Sequence, residues 1–179
     1  MTELSREELL AEVYKKAFDY EAHHHDCAQC VLLTLQEAFD LPGEDAFKAA
    51  TGFAGGMGRT GQVCGSLTGA IFAFGLLWGR EKALFMHPDE KERLSGLEAL
   101  ENRIGPIIKK LQARFREEYD GITCDEIQTK LFGKPYASGT PEDREEMDRL
   151  GGHSEICPKV VGKAAQWATE IILDEMERG

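Results

Sequence analysis

Five cysteines stand along a chain of 179 residues: Cys27, Cys30, Cys64, Cys124 and Cys157. Thiolates bind soft metals and exchange disulfides. In a reducing compartment, spaced cysteines serve those ends more often than they form structural bridges. Cys27 and Cys30 make one CxxC pair, and no second pair follows at zinc-motif spacing. Any larger shared site must therefore be assembled by the fold. A lone free cysteine is ordinarily a small buried hydrophobe, so the informative question is whether several share a setting.

Four of them do. Cys27, Cys64, Cys124 and Cys157 each fall at or beside an expected helix start. Asp26 with Gln29, and Thr123 with Glu126, read as capping boxes, and Pro158 after Cys157 suits a first helical turn. A helix N-terminus offers free N–H donors and about half a positive charge, both of which favour thiolate sulfur and lower its pKa. Cys30 is different. It lies one helical turn beyond Cys27 with Leu33 three residues further along the same face, and reads as a core or auxiliary thiol.

The elements that must position these sulfurs are organised around residues 52–79, GFAGGMGRTGQVCGSLTGAIFAFGLLWG, which hold nine of the 19 glycines. A Gly-rich turn brings bare backbone close to something, and the apolar run 70–78 then predicts a buried helix over 64–80. Before it, the spacing predicts a helix over 4–22, with Ser5 and Glu8 as a capping box and Leu9, Leu10, Val13, Tyr14 and Phe18 as its apolar face. A second helix over 26–39 and a short one near 45–51 follow. Residues 88–119 form a long amphipathic segment in which Gly105-Pro106 predicts a kink or a break. A short helix over 124–131, a charged helical patch over 141–150 in the polar stretch 133–153, and a last helix over 157–176 complete the chain. No strand-like alternation and no internal repeat stand out. The expectation is an all-α single domain, 1–179, built as a bundle of about five or six helices around the 64–80 helix.

Hydrophobic content is 42%, charged content 30% and net charge −11. Such acidity disfavours nucleic acid as a partner. No apolar segment follows a basic N-terminal region, and the run 70–78 is too short to span a bilayer, so no membrane insertion and a cytoplasmic location are expected. The apolar stripe of 88–119 leaves a homodimer open. The loop GGMGRTG lacks the Lys-Ser/Thr end of a phosphate loop. His23, His24 and His25 could bind metal, with His25 nearest Cys27 the first candidate, but such a run reads more often as solvated or capping; His87 and His153 read as surface residues. Asp26 reads as a cap rather than an acid–base group, and Phe72, Phe74 and Trp78 as core.

These motifs resemble the C-GCAxxG-C-C family of small helical bacterial and archaeal proteins, whose role is suggested to be redox. Cys27-Ala28-Gln29-Cys30-Val31 matches the family's Cys-Ala-x-x-Val start, GGMGRTGQVCGSLTGA over 55–70 is similar to its central motif, and Cys124 and Cys157 match its two single cysteines. The resemblance runs from about Asp26 to Trp167. The chain departs from the pattern in three ways: Val63 precedes Cys64 and Gly65 follows it, Ser66 stands where alanine is usual, and Cys30 is an extra thiol. Relatives of the family include the cysteine-bearing domain of split-Soret-type cytochromes, where the resemblance implies an iron–sulfur centre. No CxxCH is present, so covalent haem is not expected.

Three chemistries fit four such thiolates. A [2Fe–2S] cluster on Cys27, Cys64, Cys124 and Cys157 would give electron transfer or redox sensing with an unidentified redox partner protein. In that case Gly56, Gly58 and Gly61 are expected to present backbone N–H groups to sulfide, with Arg59 as a cationic partner or a solvated surface residue. The same thiols without metal could exchange disulfides as an oxidoreductase, although the thioredoxin-like βαβ context is missing. Alternatively, a tetrahedral zinc on the four cysteines could lock the helices together without chemistry.

Overall fold

The computed structural model describes residues 4–137 and 139–178. Residues 1–3 and 179, at the ends of the expected domain, and residue 138, in the polar stretch 133–153, lie outside the described residues. The order is α1 (Arg6–His24), α2 (Cys27–Phe39), α3 (Glu44–Ala50), a 3-10 turn (Thr51–Phe53), α4 (Ala54–Met57), α5 (Gly65–Trp78), α6 (Lys82–Phe85), α7 (Glu90–Tyr119), α8 (Cys124–Phe132), α9 (Pro141–Arg149), a π turn (Gly152–Ile156) and α10 (Cys157–Arg178). Among the described residues there is no strand, only an isolated antiparallel bridge between Val63 and Thr123. The class is all-α, as the periodicities require.

The caps are where the side chains place them. Ser5 and Glu8 exchange hydrogen bonds at the start of α1, Thr123 and Glu126 do so at α8, and Thr140 and Asp143 do so at α9. Asp26 caps α2 by accepting from the Gln29 N–H, but Gln29 sends its own side chain to the Phe47 carbonyl at 3.0 Å, so only half of that box forms.

One core joins α1, α2, α5, α7, α8 and α10, with Leu32, Leu35, Leu67, Phe74, Leu111, Phe115, Val161 and Ile172 fully buried. Helix α10 runs along α1 and also packs on α2, α5 and α7. It therefore shares the centre with α5. The expected buried helix over 64–80 is shorter, Gly65–Trp78, and its far end is open to solvent, with Leu76 37% exposed. Gly105-Pro106 does not break α7. Asn102, whose carbonyl loses its helical donor at Pro106, is exposed and open to water instead. The α7 stripe divides: Ile107, Leu111 and Phe115 are buried in the chain's own core, while Leu94 is 56% exposed. Among the described residues, no helix is long and apolar enough to cross a membrane.

The contact that matters most for the cysteines is α5 on the first turn of α2. A Cβ at Gly69 would lie 2.3 Å from the Ala28 carbonyl oxygen. Because the obstacle is backbone, no rotamer change relieves it. Gly69→Ala is expected to destabilise the protein by about 1–3 kcal/mol. Gly75→Ala, where nothing lies within 4 Å of the added carbon, should stabilise it by ~0.5–1 kcal/mol through helix propensity. Thermal melts of the two variants check both signs.

Candidate functional site

Each of four cysteines is delivered by a different local device. Cys27 opens α2 behind two residues with left-handed backbone, His25 (φ 59°, ψ −172°) and Asp26 (φ 69°, ψ 74°). The His25 conformation belongs almost entirely to glycine and costs about 1–3 kcal/mol in a residue with a side chain. Cys64 and Cys124 are turned to the same face, diagonally across the Val63–Thr123 bridge. The Cys64 N–H donates to the Ile122 carbonyl at 2.9 Å, and the Cys124 N–H donates to the Gln62 carbonyl at 2.6 Å. Cys157 follows the π turn, and its N–H donates to the Gly152 carbonyl.

These devices converge on one partly enclosed cavity of about 70 Å³. Cys27, Cys64, Cys124 and Cys157 all line it. Glycine makes the convergence sterically possible, since a Cβ at Gly65 would lie 2.4 Å from the Cys27 sulfur. Gly65→Ala is thus expected to push the Cys27 thiol out of the shared cavity. Its thermal midpoint should fall below that of Gly75→Ala, as melts of the two variants check. Cys30 is excluded from this cavity. It is buried, donates from sulfur to the His25 carbonyl at 3.1 Å, and borders a separate groove with Tyr20 and Leu33.

The Gly-rich loop does something other than the sequence suggests. From Gly55 to Arg59 five consecutive residues have positive φ, including Met57 and Arg59, so the chain makes a left-handed turn. Its amides are used internally: those of Gly58 and Arg59 donate to Ala54, that of Gly61 to Gly55, and those of Thr60 and Gln62 to Gly56. Gly58 and Gly61 therefore spend their N–H groups within the loop rather than offering them to the site, and Gly56 does not line the cavity. Gly56 is needed because a Cβ would lie 2.5 Å from the Gln62 carbonyl oxygen, and Gly61 because a Cβ would strike the Asp125 carboxylate. The loop's members on the cavity wall are Gly55 and Arg59. The Gly55 backbone is what pulls the Cys27 pKa down against burial.

Helix starts do not make these thiols acidic. Burial pushes Cys27, Cys64, Cys124 and Cys157 up, outweighing the Gly55 donor at Cys27 and the Ser66 and Leu67 donors at Cys64. Desolvation of a charge in an apolar site exceeds the dipole of a helix end. At Cys157 the preceding π turn has already taken the amide that the dipole argument needs.

A carboxyl on the wall reinforces this. Glu21, on the last turns of α1, is only 3% exposed, and its Oε2 has no hydrogen-bond partner. Burial raises its pKa from 4.5 to about 8, opposed first by the Cys30 thiol beside the carboxyl and then, more weakly, by Arg59 at the cavity. Sequence reasoning missed Glu21, although Val13, Ala17 and Glu21 recur every fourth residue on one face of α1. Burial likewise raises Asp26, half-buried beside Arg59. His153 is corrected from a surface residue without a partner. Its Nδ1 lies 2.6 Å from the Asp148 carboxylate, its ring meets the His25 ring edge-on at 5.1 Å, and both histidines line the cavity. His23 and His24 stay outside it, as expected of solvated residues.

Among the described residues, no three His, Cys, Asp or Glu side chains are gathered tightly enough to hold a single metal ion. The four thiols share a cavity without closing on one point. No curated protein and no solved structure matches the chain. The family described as "Putative redox-active protein (C_GCAxxG_C_C)" matches residues 25–171, a span that contains all five cysteines and the left-handed turn. The chain belongs to the C_GCAxxG_C_C family.

Proposed function

We propose that this protein is an electron carrier or redox sensor in which Cys27, Cys64, Cys124 and Cys157 hold a [2Fe–2S] cluster. The observation that carries the reading is the cavity on which these four thiols converge while Cys30 faces elsewhere. A cluster of this kind supplies one-electron transfer when bound. The chain's own residues prepare for it. Apolar walls from Ile127 and Val160 exclude water, and Gly55, Ser66 and Leu67 direct hydrogen bonds at two of the sulfurs. Because burial holds the thiols protonated, a cationic metal group is what would convert them to thiolates.

The same facts weigh against the other two chemistries. Thiols pushed up by burial are poor nucleophiles at neutral pH, which disfavours metal-free disulfide exchange. A zinc ion needs four sulfurs at about 2.3 Å from one point, and the donors are not grouped that tightly. A two-iron group spreads its ligands more widely. Five free cysteines suit a reducing compartment such as the cytoplasm. The electron donor or acceptor would approach the cavity opening beside Arg59, Arg144 and the two histidines.

The test is anaerobic purification, or reconstitution with iron and sulfide, followed by iron and acid-labile sulfide analysis. About two of each per chain, with visible absorbance that bleaches on reduction, is the expected result. A colourless protein that takes up neither, or that retains one zinc which iron does not displace, overturns the reading.

A further inference from the structure

The wall of the cysteine cavity contains one polar atom with nothing to bind. Glu21 Oε2 is buried and unpartnered, on a residue only 3% exposed, and Glu21 shares the cavity with all four converging thiols. Leaving such an atom unsatisfied costs about 1–3 kcal/mol. An occupant of the cavity that accepts a hydrogen bond would offset it.

Electrostatics decides which role the carboxyl takes. The charge on Glu21 ranks higher among the influences on Cys27 and Cys157 than among those on Cys64 and Cys124, which places the carboxyl toward the first pair, with the Cys30 thiol on its other side. Among several thiolates an ionised carboxylate would add a further buried negative charge, which Arg59 at the cavity opposes only weakly. The neutral acid avoids that repulsion and carries an O–H. The cavity it lines also holds the four sulfurs, and sulfur accepts. Cys27 and Cys64 already receive hydrogen bonds from Gly55, Ser66 and Leu67. The Glu21 hydroxyl is a further donor aimed into the same space.

We propose that Glu21 is a hydrogen-bond donor to the sulfur-ligated group in this cavity and raises its reduction potential. The inference rests on the reading that the four cysteines bind a metal group. A donor to sulfur withdraws charge, and the reduced state, being more negative, gains more from it than the oxidised state. Glu21→Gln keeps a donor of similar shape, and Glu21→Leu removes it while filling the same volume with hydrocarbon. Neither substitution opens a cavity, and Leu relieves a buried unsatisfied atom, so both variants should fold, as circular dichroism will check.

The experiment is a redox titration of the iron–sulfide-loaded wild type and both variants. In parallel, each metal-free protein is titrated anaerobically with cobalt(II), and the sulfur-to-cobalt charge-transfer bands are recorded. Loaded Glu21→Leu is expected to favour the oxidised form about tenfold more than wild type at the same potential, a shift of ~59 mV for one electron. Glu21→Gln should stay within a third of that shift. Equal potentials for wild type and Glu21→Leu overturn the proposal, and so does a Glu21→Gln shift as large as that of Glu21→Leu. If wild type takes up cobalt but no iron with sulfide, the cluster reading fails. Glu21 is then judged on the cobalt bands, which must move in Glu21→Leu and not in Glu21→Gln. Uptake of neither metal overturns both.

Discussion

Changing any one of Cys27, Cys64, Cys124 or Cys157 to serine is expected to abolish stoichiometric iron and sulfide, whereas Cys30→Ser retains both. The discrimination follows from where the sulfurs lie. The four line one cavity, and Cys30 spends its thiol proton on the His25 carbonyl in a different groove. Loss of an outer-shell partner typically costs about 10–100-fold in metal affinity, and loss of a ligand should exceed that range. Serine is a harder donor and shorter, so it does not reach the same point. Cys64 and Cys124 are 5% and 9% exposed, and a hydroxyl there must also find a partner, so thermal melts must accompany the analysis. A variant that melts like wild type yet carries no iron assigns a ligand. Equal iron loss from Cys30→Ser would show that the CxxC pair, rather than the cavity, defines the site.

How much of this was legible beforehand can be traced residue by residue. Helix starts at Cys27, Cys124 and Cys157 were readable because Asp26, Thr123 and Pro158 act locally, through caps and a fixed proline φ. The clustering of glycines announced a close approach, and Gly65 and Gly69 fulfil it against Cys27 and Ala28. Three features carry no such local signal. The left-handed turn includes Met57 and Arg59, residues that do not prefer positive φ and adopt it only because the surrounding turn imposes it. A bridge of one residue pair, Val63 with Thr123, has no periodicity to detect, yet it turns Cys64 and Cys124 to one face. The pKa directions depend on how much hydrocarbon surrounds each sulfur, and a helix-end argument made from sequence leaves that out. Glu21 lies between these cases. Its place in the 13–17–21 series was visible, but a glutamate in an apolar stripe reads as a boundary until the tertiary structure closes over it.

The stability of the metal-free protein should fall as pH rises between about 4.5 and 8, which reverses the usual acid-denaturation trend for carboxylates. Glu21 is the cause. Its carboxyl titrates at 4.5 when exposed and near 8 when folded, so the folded state holds the proton over a range where the unfolded chain has released it. Its contribution is fully present below 4.5 and is lost as pH climbs through 8, at most ~5 kcal/mol in all. Asp26, also raised by burial, acts in the same direction. The capping and ion-paired carboxylates Glu8, Glu126, Asp143 and Asp174 are lowered from their ordinary values. All four keep contact with solvent and lose their small contribution only in acid, below the window in question. The cysteine thiols, pushed above their ordinary value of 9.0, stay protonated throughout it. Urea midpoints of metal-free wild type measured across this range should therefore decline steadily, and those of Glu21→Gln should decline much less, by the part that Asp26 contributes. A wild-type midpoint that does not change, or a Glu21→Gln profile with the same slope, would place the Glu21 carboxyl in contact with water and remove the reason for regarding it as part of the cavity's chemistry.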